Sequence, residues 1–165
     1  EDNSCIRIGS FHEGGIVFYL DGNGGGLISA SLDQSTVASW GCHGKPINGA
    51  DGTAIGTGDQ NTIDILAGCT EVGIAAKICD DLTLGEYNDW FLPSKDELNE
   101  MYLNIGQGAP VNIGNFTDVS YRSSTESGAN NAWTQQFAAS SNAAGNQYPS
   151  SKSNMPYVRA IRRFY

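Results

Sequence analysis

No run of about 18 or more apolar residues occurs in this chain, so none of it is read as a membrane-crossing helix. Charge is scarce as well. Charged residues make up 16% and hydrophobic residues 39%, so neutral polar groups must cover much of the surface. The net charge of -9 argues against general nucleic-acid binding, which needs a clustered basic footprint. Histidine is limited to His12 and His43. His12-Glu13 opens like the zinc motif H-E-x-x-H, but Ile16 stands where the second histidine is required. No G-x-S-x-G elbow, S-x-x-K pair or Walker loop is present. The expectation is a protein that is not an enzyme. Residues 1–10 lack the basic and apolar segments of a leader, and the chain reads as a mature or excised fragment.

Aromatic residues are not scarce. Three Trp, seven Tyr and six Phe with so little charge argue for a folded chain rather than a disordered one. The charge that exists is unevenly spread. Residues 1–118 carry 17 acids and four bases, a net of -13, while residues 119–165 carry one acid and five bases, a net of +4. The four cysteines, at 5, 42, 69 and 79, never adopt C-x-x-C spacing, which argues against a zinc site. Their even number favours disulfides and an oxidising compartment, the alternative being reduced thiols. Cys42–Cys69 is the preferred bridge because it would staple a loop-rich stretch; Cys5 and Cys79 are left for a second. Cys79 falls in a helical pattern and is expected to be buried.

The layout predicted is α+β, one domain over residues 1–165. Ile16–Leu20 and Gly26–Ala30 read as a hairpin around a glycine-rich turn. Residues 40–61 read as a long loop. Asn61 or Thr62 is expected to cap a short helix that Gly68 ends, and residues 73–82 to form a second. Ser94-Lys95-Asp96-Glu97 is a capping box that starts a third, with Leu98, Met101 and Tyr102 as its buried stripe. Residues 119–124, 132–137 and 157–164 read as strands, and 140–153 as an Asn/Ser/Ala/Gly loop. Oxygen donors concentrate around Asp51 and Asp59. These two are candidate Ca²⁺ ligands, against the alternative that they hydrogen-bond their own turns.

Several strings together resemble one family. They are Gly14–Tyr19, Asp89-Trp90-Phe91-Leu92-Pro93-Ser94-Lys95-Asp96-Glu97-Leu98, Tyr121–Glu126, Asn131-Ala132-Trp133 with Phe137, and Val158–Arg162. In order and spacing they resemble the Lcl-type C-terminal domain of bacterial collagen-like adhesins, from about residue 12 to the end. The Leu92–Leu98 string also resembles the helix start of formylglycine-generating enzymes, a branch of the C-type lectin-like fold. The resemblance implies a C-type lectin-like architecture and a secreted or cell-surface bacterial module. It further implies carbohydrate or glycosaminoglycan binding, a possible homotrimer and, as in some members, diversification by a retroelement acting on adenine-rich codons such as those of asparagine. This sequence departs from the related groups in two ways. It has no Cys after 79, where the formylglycine-generating enzymes keep their catalytic pair, and it lacks the Glu-Pro-Asn type motifs of calcium-dependent lectins.

Within that frame the expected ligand surface comprises Arg122, Asn130, Asn131, Trp133, Gln135, Asn142, Asn146, Gln147, Tyr148, Lys152, Asn154 and Tyr157. Amide and tyrosine side chains make adaptable hydrogen bonds at low ordering cost. The competing reading puts Trp133 and Tyr157 in the core and the asparagines in turns. A polyanion is repelled by the acidic segment and attracted by the C-terminal bases, but alternation points Arg159 and Arg162 to opposite faces of one strand, so a neutral glycan or a protein is expected over a sulfated glycan. The alternative function is a structural or trimerising tip of a surface fibre.

Overall fold

A computed structural model describes residues 5–165; the first four residues of the segment read for a leader lie outside them. The fold is α+β, with two antiparallel sheets and three short helices. Among the described residues no helix is long and apolar enough to cross a membrane.

The first sheet begins with β1 (Phe11–His12), β2 (Gly15–Leu20) and β3 (Gly26–Ser29). The hairpin β2–β3 forms as its sequence predicts. Asp21 closes the turn by accepting from the N–H groups of Asn23 (2.7 Å) and Gly25 (3.1 Å). A bulge at Phe18 shifts the register, so that Tyr19 faces Leu27. Gly26 is required there, since a Cβ would lie 2.0 Å from the Tyr19 carbonyl oxygen. The chain's last strand, β7 (Ile161–Phe164), pairs with β3, giving the order β1-β2-β3-β7.

This sheet is buried on both faces. Val17, Ile28 and Phe164 meet Trp90, Leu92, Ala75 and Cys79 on one side. Phe18, Leu27 and Ile161 meet Leu98, Met101, Tyr121 and Phe137 on the other. Each fully buried Val, Leu, Ile, Phe or Met among them contributes about 1.5–3 kcal/mol by leaving water. A third cluster, Trp40, Ile47, Ala50, Ile65, Cys69 and Ile74, lies under the long loop.

The helices are α1 (Gly58–Gly68), α2 (Ala75–Asp80) and α3 (Lys95–Ile105). α1 starts three residues before Asn61, and its N-cap Thr57 makes no side-chain cap bond. Asn61 and Thr62 are instead buried inside the helix. The Asn61 amide donates to Gly52 O (2.7 Å) and Ser124 Oγ (3.2 Å), and Thr62 Oγ1 accepts from Leu92 N (3.1 Å). Their polar groups serve tertiary contacts, which outweighs their local capping preference. α2 is shorter than the 73–82 expected, with Ile74 as its N-cap.

The capping box of α3 is present in full: Glu97 N donates to Ser94 Oγ (3.3 Å) and Ser94 N to Glu97 Oε2 (2.7 Å). Glu97 also accepts from Gly56 N (2.8 Å) and is fully buried. A Cβ on Gly58 would lie 2.2 Å from Glu97 Oε2, so glycine admits the carboxylate. One residue that reads as a local cap thus joins the starts of α1 and α3 and the loop between residues 52 and 58. Burial raises the Glu97 carboxyl above its usual value, against the pull of the N–H groups of Ser94, Gly56 and Gly58.

The second sheet is β4 (Ser120–Glu126), β5 (Asn131–Gln136) and β6 (Gln147–Ser151), in that order. β6 falls where a loop was expected. Its sequence, Gln-Tyr-Pro-Ser-Ser, has no apolar alternation, and pairing with β5 makes it a strand. Proline suits such an edge, because it cannot donate to a further strand. β7 in turn is shorter than the 157–164 expected. Tyr157 and Val158 make only isolated bridges, to Tyr121 and Ser35.

The Cys42–Cys69 disulfide is present, with Cα atoms 5.8 Å apart. A second bridge is not: Cys79 is buried in the core and Cys5 is exposed, and both are free thiols. Apolar packing around Cys79 takes the place of a partner, and burial pushes its thiol well above the usual range.

Candidate functional site on the amide-rich sheet

The second sheet carries most of the residues expected to bind a ligand, and it sorts them into internal and accessible groups. Arg122, Gln135 and Lys152 are internal, each with essentially no exposed surface. Their expected place on the ligand surface is corrected accordingly, and each has a structural role that explains its burial.

Arg122 Nη1 donates to Ala132 O (3.0 Å), Thr134 Oγ1 (2.9 Å) and Ser150 O (3.3 Å). Its Nη2 donates to Ser151 O (2.8 Å) and Asn154 O (3.2 Å). The guanidinium therefore binds β4 to β5, to β6 and to the turn after it. No carboxylate pairs with it among the described residues, and burial lowers its pKa to about 10. Lys152 Nζ donates to Lys45 O (2.8 Å), pairs with the Glu126 carboxylate, and lies 4.4 Å from the Trp40 ring centre. Glu126 in turn accepts from Ile47 N (2.9 Å). This buried pair ties the end of β4 and the residue after β6 to the loop around residues 45–47.

Gln135 is the centre of an amide network. Its Nε2 donates to Asn99 Oδ1 (2.8 Å) and Gly145 O (3.0 Å), and its Oε1 accepts from Gln147 Nε2 (3.2 Å). Gln147 Nε2 also donates to Lys95 O (2.7 Å). The first turns of α3 are thereby fastened to β5 and β6. The Lys95 ammonium lies 4.2 Å from the centre of the Trp133 ring. Trp133 is half-buried, and Asn131, two residues earlier, is exposed. Trp133 is thus neither core nor free: a cation holds it while part of the indole reaches solvent. Neither Lys95 nor Asn99 was expected here. The capping box locates the start of α3 but says nothing of which strand that turn meets.

The other accessible residues lie apart from this group. Tyr148, 38% exposed, shares a hydrogen bond with Ser120 Oγ (2.6 Å), which also donates to Gln136 Oε1 (2.7 Å). In the antiparallel register Tyr148 pairs with Thr134, while Trp133 pairs with Pro149, so the two rings project to opposite faces. Asn154 is exposed and donates to Ser150 Oγ (3.0 Å). Asn142 and Asn146 are exposed on the loop before β6. Asn130 is exposed, and its carbonyl accepts from Lys152 N (2.9 Å). Tyr157 is half-buried, its ring edge-on to Tyr121 at 5.8 Å.

Of the remaining C-terminal bases, Arg159 and Arg162 turn inward and Arg163 is half-buried. Arg159 pairs with Asp33 (2.8 Å) and donates to Ala30 O (2.9 Å) and Gly114 O (2.8 Å). Arg162 pairs with Asp89 (2.6 Å) and Glu13 (2.7 Å). Arg163 donates to Gly56 O (3.3 Å) and lies 3.5 Å from Asp59. Three of the five bases of the positive segment, Arg159, Arg162 and Arg163, thus pair with acids of the negative one. The candidate calcium ligands are not brought together with a third acid. Asp59 faces Arg163 and accepts from Gln60 N (2.8 Å), and Asp51 is exposed on a turn. Among the described residues the one trio of potential donors within 4.8 Å of one another is Cys42, Cys69 and Glu71, and its two sulfurs are bonded to each other as the disulfide.

Chemically, the Trp133 face offers an indole surface, a cation and amide donors and acceptors on a rigid support. It is equipped to stack against and hydrogen-bond a polyol or a peptide. No protein-family model and no curated protein matches the chain.

Proposed function

We propose that this chain is a secreted or cell-surface ligand-binding module of the adhesin type, an Lcl-type domain on a C-type lectin-like fold. It recognises a glycan or a protein through the face of β4–β5–β6 that carries Asn131, Trp133 and Gln147. The observation that carries this reading is the half-exposed Trp133 indole, held by Lys95 at 4.2 Å. The Gln135 network beneath it limits the ordering cost of binding. The inward use of Arg122, Lys152, Arg159 and Arg162 supports a neutral ligand over a sulfated one.

A glycan array combined with a pull-down against surface proteins tests this. Trp133→Ala is expected to lower binding by about tenfold or more, as truncating an aromatic anchor does, with the fold retained. Binding that survives Trp133→Ala and Asn131→Ala unchanged sinks the assignment of this face. Tight retention on heparin at physiological salt sinks the preference for a neutral ligand.

A further inference from the structure

We propose that the groove between α1 and α2 is a second interaction surface, and that its partner is a basic, apolar-anchored segment of another protein: a Leu, Ile or Val flanked by Lys or Arg. The groove shares no residue with the Trp133 face.

The groove has a volume of about 550 Å³, within the roughly 300–1,000 Å³ of clefts that take ligands. Leu66 of α1, Ile78 of α2 and Cys69 supply apolar walls, and Val72 lines it from the turn between the two helices. Val72 is 99% exposed. A lone exposed valine needs no explanation, but this one continues an apolar strip. Leu66 is half-buried, and Ile63, three residues earlier on the same side of α1, is 59% exposed. The strip runs out of the groove along α1, which suits a chain segment better than a small molecule held in the cleft. An exposed apolar patch with a polar rim marks a surface that meets a partner.

The charges around the groove select that partner. Glu71, Asp80 and Asp81 line it, with Lys77 as the one cation of the lining. Three acids against one base leave a net charge of -2 there. Lys77 bonds to Asp81 (2.7 Å) and lies 3.7 Å from Asp80, so a single ammonium serves two carboxylates. Lys45, bonded to Gly68 O (2.8 Å), does not line the groove. A basic segment is therefore attracted here, and an acidic one repelled.

The groove is formed before any partner arrives. Cys69 is bonded to Cys42 and buried with Ile74, the N-cap of α2. The turn that carries Val72 is thus anchored at both ends. Ala75 N donates to Ser39 O (2.8 Å), which fixes the start of α2. A rigid receiving surface lowers the ordering cost of binding.

The test selects random dodecapeptides displayed on phage. The chain is the bait, and a variant carrying Val72→Ser, Asp80→Asn and Asp81→Asn is the counter-bait, which depletes peptides bound elsewhere. All three side chains are exposed, so the variant should keep the fold, and circular dichroism checks this. Retained peptides should place Lys or Arg beside Leu, Ile or Val. The leading peptide, made synthetically, should bind the variant about tenfold more weakly. Its affinity should fall as salt rises from about 0.1 to 1 M, where screening shortens from roughly 10 to 3 Å. Amide resonances of residues 66–81 should shift on binding. Trp133→Ala should leave the affinity unchanged, which separates this groove from the sheet face. No peptide retained above background, peptides without basic residues, shifts confined to other residues, or equal affinity for the variant overturns the proposal. So does a dimer of the parent chain that Val72→Ser dissociates, since the groove would then serve a second copy.

Discussion

The two sheets are built from opposite kinds of sequence. β2, β3 and β7 carry Val, Phe, Leu and Ile and are buried on both faces. β4, β5 and β6 carry Ser, Thr, Asn, Gln and Tyr, and their interior is held by hydrogen bonds from Arg122, Gln135 and Lys152. An apolar interior is non-directional and tolerates substitutions that keep its volume. A polar interior loses stability wherever a member loses its partner. The first sheet suits a scaffold. The second can hold small polar side chains in defined positions, which is what a recognition surface needs.

The comparison breaks hardest where one partner of a buried pair is lost. Lys152→Met leaves Glu126 buried without its cation and should cost about 3–5 kcal/mol. Phe18→Ala should cost a similar ~3–5 kcal/mol through the cavity it opens in the first sheet. The second change distinguishes them. Lys152→Met combined with Glu126→Gln removes both charges while leaving an acceptor for Ile47 N, and should recover at least half of the loss. Urea unfolding of the single and double variants gives the coupling. A strictly additive cycle would show that the polar interior is not a linked network.

A smaller effect is expected at the amide network. Gln135→Leu keeps the volume but strands Asn99, Gly145 and Gln147, at about 1–3 kcal/mol. Hydrogen exchange should increase in the loop before β6 and at the start of α3, while the β2–β3 hairpin stays protected. Equal loosening of both sheets would erase the distinction between them.

The smallest effect concerns pH. Burial raises the folded-state pKa of Glu97 above its ordinary 4.5, so the native chain binds this proton more tightly than the unfolded one. The stability this contributes is full below 4.5 and is lost as pH rises through the folded value. Glu97→Gln should flatten that part of the stability profile, while weakening the cap by about 0.5–2 kcal/mol. A profile unchanged by the substitution would show that Glu97 ionises as freely as a surface carboxylate.

Local chemistry made much of the scaffold legible. The hairpin follows from β-branched and aromatic runs around an Asp-Gly-Asn-Gly turn, and α3 from its capping box and apolar stripe. β6 was illegible because an edge strand of Gln, Tyr, Pro and Ser has no pattern of its own; its partner makes it a strand. α1 was misplaced at its start because Asn61 bonds across to Gly52 and Ser124, and Thr62, whose hydroxyl also donates to Gly58 O within the helix, accepts from Leu92 N, so neither caps the helix.

The candidate surface shows the same limit. Its residue types were readable, but the residues that face solvent were not. Arg122, Gln135 and Lys152 look like ligand contacts in one dimension and are interior supports in three. Lys95 and Asn99 carry no linear mark and sit at the site.

Taken alone, the sequence determined the α+β class, the hairpin, the capped helix and the preference for the Cys42–Cys69 bridge. These rest on interactions within a few residues or on the cost of leaving a long loop unstapled. Only the tertiary structure decided where the C-terminal positive charges go. An arginine is equally charged on a surface or in a core; its partner settles the matter. For Arg159 and Arg162 those partners are Asp33, Asp89 and Glu13, far back in the acidic half of the chain.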